Sequence, residues 1–472
     1  MVITKSDYLL FLCCKNEFWL KKRKPEFKVT TEMSLDNKHR IEQGREVERL
    51  AYKMLRLHQA DVKHVYIEKE IGSDNLYCRC DILVELYNGK YELYEIKSGA
   101  SIKEENYNDV TFQKIVLTKA NYSLSKIFLV HVNNKYILGD ELDVDAYFTI
   151  EDVTAIAKER THQTQLNIGS AVQYINTEPV FELTELCSEG LDCAFALFSG
   201  VTEPAYSVFN IARLQVNKLH ELLQMGIVDI MDIPRNFKLS SKQQQQVNIA
   251  QNNTTYIDKE AINDTLNNLV YPLYFYDYET FNATIPMYKG LKPYQQMVFQ
   301  FSLHIKETPF SELKHHEFLS KGHVEPSFEV AQALSAVITK RQGTFIVWNQ
   351  SFEKTRNKEI ANMYPQFANF LNWVNEQTFD LMKIFSQNYY IHPEFKGSCS
   401  IKKVLPVLVP ELSYQNLTIN EGMTASIKWF QMVTNKTNTH EKEAIYQHLL
   451  AYCKLDTLAM VKILEKIQKL AK

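Results

Sequence analysis

Asp277 and Glu279 are the residues in this chain best suited to chemistry. Tyr274-Phe275-Tyr276-Asp277-Tyr278-Glu279-Thr280-Phe281 reads as a buried strand. Side chains at i and i+2 share a face, so the two acids point the same way. Burying paired carboxylates is costly unless something neutralises them, and a hard divalent cation with oxygen ligands would do so. Far downstream, Tyr452-Cys453-Lys454-Leu455-Asp456 puts a phenol and a carboxylate on one helical face. Between them, Phe345-Ile346-Val347-Trp348-Asn349-Gln350-Ser351-Phe352-Glu353 reads as a strand, a polar loop and an acid. Asp277, Glu279, Glu353 and Asp456 on one surface could hold paired Mg2+ or Mn2+ ions. Such a pair activates water on one side of a phosphorus and stabilises the leaving oxygen on the other. Tyr452 would orient that water or help deprotonate it. Asp380, in Thr378-Phe379-Asp380-Leu381, is an alternative or supporting acid. Taken singly, Asp-x-Glu and Tyr-x-x-x-Asp are common surface and packing patterns; their order and the strand setting make the joint case.

A second constellation lies near the N-terminus. Cys78-Arg79-Cys80-Asp81 leads into Tyr91-Glu92-Leu93-Tyr94-Glu95-Ile96-Lys97. Asp81 and Glu95 could hold a divalent ion, with Lys97 polarising the attacking water. Glu95 and Lys97 share a strand face. A strict two-residue turn at Asn88-Gly89 would set Asp81 opposite Ile96 and facing away from both. A shared site therefore requires a bulge, an odd-length turn or a bend. Without one, the motif is a surface hairpin whose charges face water.

The elements that must position these groups belong to an α/β protein. With 472 residues the chain exceeds a single core. A helix is expected over 6 to 24 with Ser6 as N-cap, another over 38 to 58, and strands at 81 to 86, 91 to 96 and 126 to 132. A helical or loop-helix segment is expected over 109 to 125. We place a first domain at 1–200, a helical connector at 201–264 and a second domain at 265–472. The tract Lys242 to Thr255 reads as an exposed polar link. Leu222 to Pro234 faintly resembles a helix-hairpin-helix, although its apolar spacing also suits plain packing. A formal net charge of -3 argues against indiscriminate coating of nucleic acid. The polar N-terminus and the lack of a long apolar run predict no signal peptide and no membrane span, hence a cytoplasmic protein whose eight cysteines are thiols or metal ligands.

The Asp277–Asp456 set resembles the DEDDy subgroup of RNase H-like 3'–5' exonucleases. The resemblance implies metal binding by Asp277, Glu279, Glu353 and Asp456 and water positioning by Tyr452. The subgroup has Asp where Glu353 stands, so metal spacing or rate would differ by one methylene. Asp81, Glu95 and Lys97 resemble a PD-(D/E)XK (restriction-endonuclease-like) site of the RecB kind. Gln113 falls where such nucleases carry Gln-x-x-x-Tyr, with Leu117 in place of the tyrosine. Glu48 lies near the place of their metal-binding histidine. RecB-like relatives of the CRISPR-associated kind hold an iron–sulfur cluster on four cysteines; with Cys14, Cys187 and Cys193 alone matching, and Cys13 a poor substitute, no cluster is expected. Both halves together resemble a bacterial family known as domain of unknown function 2779, through Lys5-Ser6-Asp7-Tyr8, Glu42-Gln43-Gly44, Pro293-Tyr294-Gln295-Gln296, Phe299 to His304, and Gly397 to Pro406. In the last segment Ser398, Lys402 and Lys403 could grip phosphate oxygens or form a solvated basic turn.

The expected function is a metal-dependent nuclease acting on single-stranded or end-frayed DNA in preference to RNA, with two catalytic modules. Tyr276, Tyr278 and Phe281 would supply stacking surfaces. The alternatives are a nucleic-acid-binding protein whose N-terminal site has decayed and, third, a small-molecule phosphoesterase.

Overall fold

Thr4 and Asp7 start the N-terminal helix. The Thr4 hydroxyl accepts from Asp7 N and the Asp7 carboxylate accepts from Thr4 N, a reciprocal cap. This moves the cap two residues ahead of the expected Ser6. The helix also breaks: Lys5–Cys13 and Lys15–Arg23 are separate, because Cys14 is extended and its thiol caps the second segment at Glu17 N. A computed structural model describes residues 1–27, 33–56, 61–179, 194–434 and 437–472. They form a mixed α/β protein with several sheets and many helices. The chain divides into two units, Met1–Thr202 with Ala283–Gln295, and Glu203–Asn282 with Gln296–Lys472.

In the first unit, Leu76–Leu86 pairs antiparallel with both Val62–Ser73 and Tyr91–Lys97. Tyr91–Lys97 then runs parallel to Leu124–Val132 through the crossover helix Glu104–Lys119. Tyr8, Phe11, Phe112, Val116 and Leu117 pack in the core beneath the sheet; each such side chain stabilises the unit by roughly 1.5–3 kcal/mol. The segment Ala283–Gln295 joins this unit by backbone bonds between Leu138 and Leu291 (3.0 Å) and between Gly290 and Leu138 (2.8 Å). Gln43 Oε1 also accepts from Thr284 N at 2.9 Å.

In the second unit, five strands lie in the order Leu313–Leu319, Met297–Lys306, Leu273–Phe281, Thr344–Val347, Thr378–Asp380. The first three are antiparallel and the last two parallel to Leu273–Phe281. The strand's alternation divides its side chains. Tyr274, Tyr276 and Tyr278 enter a core with Val330, Leu334, Ile360 and Leu371. The opposite face meets the 33-residue helix Thr439–Ala471, to which Ser302 and His304 bond through Thr457 at 2.7 and 2.8 Å.

Residues 203–264 of the expected connector fall within the second unit. The glutamine tract forms the helix Ser241–Asn252, whose inner face buries Gln246, Val247, Ile249 and Ala250. Leu222 and Leu223 pack in the core, and Gly226 N and Ile227 N bond to Leu223 O and Leu222 O. The amides that a helix-hairpin-helix would offer a phosphate are thus already taken. No described helix is long and apolar enough to cross a membrane.

Candidate functional site

The strand Leu273–Phe281 delivers Asp277 and Glu279 to the face of the long helix, two residues apart as its pleat requires. The parallel partner Thr344–Val347 pairs Ile346 with Phe275 and ends one residue later. Its following helix, Gln350–Met363, therefore begins beside Asp277 and presents Glu353 there. The turn into that helix is held by Asp380, which accepts from Asn349 N (3.0 Å) and Met382 N (3.1 Å). Asn349 takes a left-handed conformation at φ 78°, so this clamp sets where Glu353 lies. Asp380 is thus a positioning acid rather than a member of the cluster.

On the long helix, Tyr452, Cys453 and Asp456 face the same point. Ligand atoms of Asp277, Glu279 and Cys453 lie within 4.8 Å of one another. The Cys453 thiol stands 3.9 Å from Asp277 Oδ2. A Cβ built on Gly422 would stand 3.8 Å from the Tyr452 hydroxyl and 3.9 Å from Glu279 Oε2, which puts those two groups at one spot. Tyr414 completes the group by donating its hydroxyl to Asp456 Oδ1 at 2.6 Å. Lys402 sits over the rings of Tyr414 (5.5 Å) and Tyr452 (5.4 Å) and donates to Asn420 O at 2.7 Å.

The electrostatics of the cluster run in one direction. Burial, then Asp456, pushes the Asp277 carboxyl well above the ordinary carboxylate range. Burial, then Asp277 and Asp456, does the same to Glu279. Burial, then Asp277, raises Glu353, and burial raises Asp456 to about 6 against the pull of Tyr414 and Lys402. Burial, then Asp456 and Glu279, raises the Tyr452 phenol, so Tyr452 is neutral. Burial, then Asp277, also raises the Cys453 thiol. Glu353 Oε2 is buried with no hydrogen-bond partner, and none of the four acids forms an ion pair among the described residues. Convergent, protonation-prone carboxyls and an orphaned oxygen fit a hard divalent cation. Asp277, Glu279, Glu353 and Asp456 are the residues that would hold it.

Several expectations are revised here. Tyr276, Tyr278 and Phe281 cannot stack on a ligand, being no more than 3% exposed; the pleat turns the two tyrosines into the core, where Asn357 bonds both hydroxyls. Lys402 faces the tyrosines instead of solvent, while Lys403 is exposed and Ser398 bonds Ser400 N at 3.2 Å. His304 and His315 serve a buried hydroxyl network with Ser302 and Thr457; burial lowers them to about 3 and about 4, so both are neutral.

In the first unit, the turn at Asn88-Gly89 is odd. Leu86 N bonds Lys90 O across the three residues Tyr87, Asn88 and Gly89, and the ladder runs from Glu85↔Tyr91 to Ile82↔Tyr94. This register brings Asp81 level with Glu95 and onto its face. Asp81 Oδ2 accepts from Ile96 N at 2.8 Å. Glu95 accepts from Lys97 (2.7 Å), Lys5 (2.8 Å) and Gln113 (2.7 Å). Asp109 accepts from Lys97 (2.6 Å) and Gln113 (2.9 Å). Lys5 and Asp109 were missed as site residues because each lies outside the two-strand motif. Both stand in segments already singled out, Lys5-Ser6-Asp7-Tyr8 and the helix before Gln113. Burial opposes ionisation of Glu95, but Lys97 and Lys5 outweigh it and hold the carboxyl below its ordinary range. Burial, then Glu95, pushes Asp81 up to about 8 and also raises Asp109. Burial, then Glu68, raises Glu48, which also feels Glu95. Leu117, in the place of a tyrosine, is fully buried in the core. Cys13 is exposed and Cys14 half-buried; Cys187 and Cys193 lie outside the described residues.

Residues 274–400 match the model of a family described as Domain of unknown function (DUF2779). The chain is similar to Uncharacterized protein MG366 of Mycoplasma genitalium, 27% identical over 226 residues that make up 44% of this chain and 34% of that protein. It is also similar to Uncharacterized protein UU173 of Ureaplasma parvum, 27% identical over 245 residues, 47% of this chain and 35% of that protein. The chain thus spans about a third of the length of these relatives. The crystal structure of SSO0001 aligns with 34% of this chain and 75% of its own at 16% identity, with a TM-score of 0.21, which carries no argument.

Proposed function

We propose that this protein is a divalent-metal-dependent nuclease. The second unit would hold an RNase H-like domain of the DEDDy type acting as a 3'–5' exonuclease. The first would hold a PD-(D/E)XK domain of the RecB kind, with a second nuclease site at Asp81, Glu95 and Lys97. Single-stranded or frayed DNA is the preferred substrate in this reading. The observation that carries it is the gathering of three buried carboxyls, Glu279, Glu353 and Asp456, with the half-buried Asp277, without an ion-paired cation among the described residues and with one Glu353 oxygen left unpartnered.

A bound Mg2+ or Mn2+ would supply Lewis-acid neutralisation of phosphate charge. The chain's own residues do the rest. Asp277, Glu279, Glu353 and Asp456 would hold the ion. Tyr414 orients the Asp456 carboxylate by its hydrogen bond. Tyr452, held as a phenol, positions the attacking water by hydrogen bonding rather than accepting its proton. Lys402 limits repulsion between Glu279 and Asp456. In the first unit, Lys97 polarises water while Gln113 orients Glu95 and Asp109.

A second reading, a nucleic-acid-binding protein with one active exonuclease domain and a decayed N-terminal site, is favoured by the two lysines that already neutralise Glu95. The deciding experiment uses the full chain with 5'-labelled DNA and RNA oligonucleotides and titrated Mg2+ or Mn2+. The nuclease reading expects a ladder shortening from the 3' end that Asp277→Ala with Glu279→Ala abolishes. Residual cleavage lost on Lys97→Ala supports the second site. A wild-type chain that cuts neither sugar in either metal overturns the proposal.

A further inference from the structure

None of the four carboxylates lines a cavity of about 800 Å3 in the second unit. Among the described residues no acid lines it, while Arg213, Lys218, Lys238 and Lys242 all do. Their arrangement is built rather than incidental. Gln246 is buried at 5% exposure and clamps the loop before Arg213. Its Oε1 accepts from Ala212 N at 3.0 Å, and its Nε2 donates to Asn210 O at 3.0 Å and to Tyr206 at 2.6 Å. Gln243 adds a bond to Ala212 O at 3.1 Å. Arg213 is thereby held in a left-handed conformation at φ 53°, which a non-glycine residue keeps only where its surroundings impose it.

The opposite wall is the loop at Gly397, where φ is 72° and an added Cβ would collide with the Asn210 carbonyl and the Gln246 amide. The close approach of the two loops thus requires glycine. Phe385 packs edge to face against Tyr390 and Phe395, which lie tilted against each other.

The cations are only partly satisfied. Lys218 pairs with Glu221 at 2.6 Å. Lys242 donates to Ser386 O (3.1 Å) and the Gln387 amide (2.8 Å), both neutral. Arg213 and Lys238 are exposed at the rim. Burial raises the Cys399 thiol, and Arg213 and Lys242 both oppose that rise, so their fields converge inside the cavity. The space exceeds what a single inorganic anion fills and suits a ligand of nucleotide size.

We propose that this cavity binds phosphate groups, carried either by a nucleotide or by a single nucleic-acid strand. The strand form deepens the nuclease reading and rests on it; the phosphate site itself does not. Binding is therefore measured on the full chain in EDTA, where no cleavage occurs. The probes are a fluorescein-labelled twelve-nucleotide oligothymidylate, thymidine monophosphate and inorganic phosphate, across a range of salt. Arg213→Gln with Lys238→Gln should weaken oligothymidylate binding roughly ten-fold and flatten the slope of log affinity against log salt by about 1.4. Lys238→Glu alone, at an exposed position, should weaken it in the same direction with an unchanged melting temperature.

Monophosphate binding that falls in the same variants, with the oligomer no tighter, supports the site and names the nucleotide as its source. Unchanged affinity and salt slope in both variants overturn the proposal. So does a wild-type chain that binds none of the three probes. Binding lost in Asp277→Asn with Glu279→Gln but kept in the basic variants would place the strand at the carboxylates and also overturn it. Loss of cleavage with this binding intact defeats the nuclease reading alone.

Discussion

The two acidic clusters solve one electrostatic problem in opposite ways. Around Glu95, the chain brings its own cations: Lys5 and Lys97 lie within hydrogen-bond distance, and the carboxyl is held low. Around Asp277, no lysine or arginine pairs with any of four acids among the described residues, and all four carboxyls are pushed up. In the first cluster the chain neutralises Glu95 itself, although burial and Glu95 still push Asp81 up to about 8; the second holds protons or a cation supplied from outside. A carboxylate cluster by itself therefore says little about metal. What discriminates is whether the fold supplies the counter-charge.

Four measurements would break or sharpen that contrast. The largest effect belongs to the second cluster. Mn2+ should raise the melting temperature of the wild type, and chelation should reverse it. In Asp277→Asn with Glu279→Gln the ion's affinity, read by titration calorimetry, should drop by more than roughly 100-fold, the upper end of what an outer-shell partner costs. Next, Glu95→Gln should destabilise the protein by about 3 kcal/mol in urea unfolding, because it removes one of the two carboxylates shared by Lys5 and Lys97 and leaves Asp109 to serve both; a neutral result would dissolve the contrast.

Third comes Asp7, a buried acid that Lys21 and Lys22 serve as Lys5 and Lys97 serve Glu95. Burial opposes its ionisation, but the two lysines outweigh it and bring it to about 2. A depressed carboxyl contributes stability above about pH 4 that is lost as pH falls toward 2. Asp7→Asn should cost about 2 kcal/mol at pH 7 and almost nothing at pH 2, read by thermal melts across that range. The smallest effect has the opposite sign. Without divalent ions, Asp277→Asn should stabilise the chain at pH 8 by on the order of 1 kcal/mol, through relief of repulsion.

Strand alternation made Asp277 and Glu279 legible from sequence, because a pleat places i and i+2 on one face whatever the tertiary context. The same rule turns Tyr276 and Tyr278 into the core; their aromatic character suggests a ligand platform, but strand parity decides against it. The register problem at Asn88-Gly89 was legible as a problem, since only a turn of odd length sets Asp81 level with Glu95. Its solution was not, as two- and three-residue turns share that dipeptide. Tyr414 reaches Asp456 across 42 residues, and Lys5 reaches Glu95 across 90; the segment Lys5-Ser6-Asp7-Tyr8 marks Lys5 in the sequence but not its partner. The glutamine tract misled through composition: Gln246 is polar and buried, and its three bonds to distant backbone and side chain are tertiary facts.

The chain passes between its two units three times, at 202, 282 and 295. Severing it once near residue 202 would leave Leu138 N, Tyr147 and Gln43 without the acceptors and donors that Ala283–Gln295 gives them. Neither half can therefore be excised as an uninterrupted stretch without orphaning polar groups, and any dissection of the two clusters is best done by point substitution in the intact polypeptide.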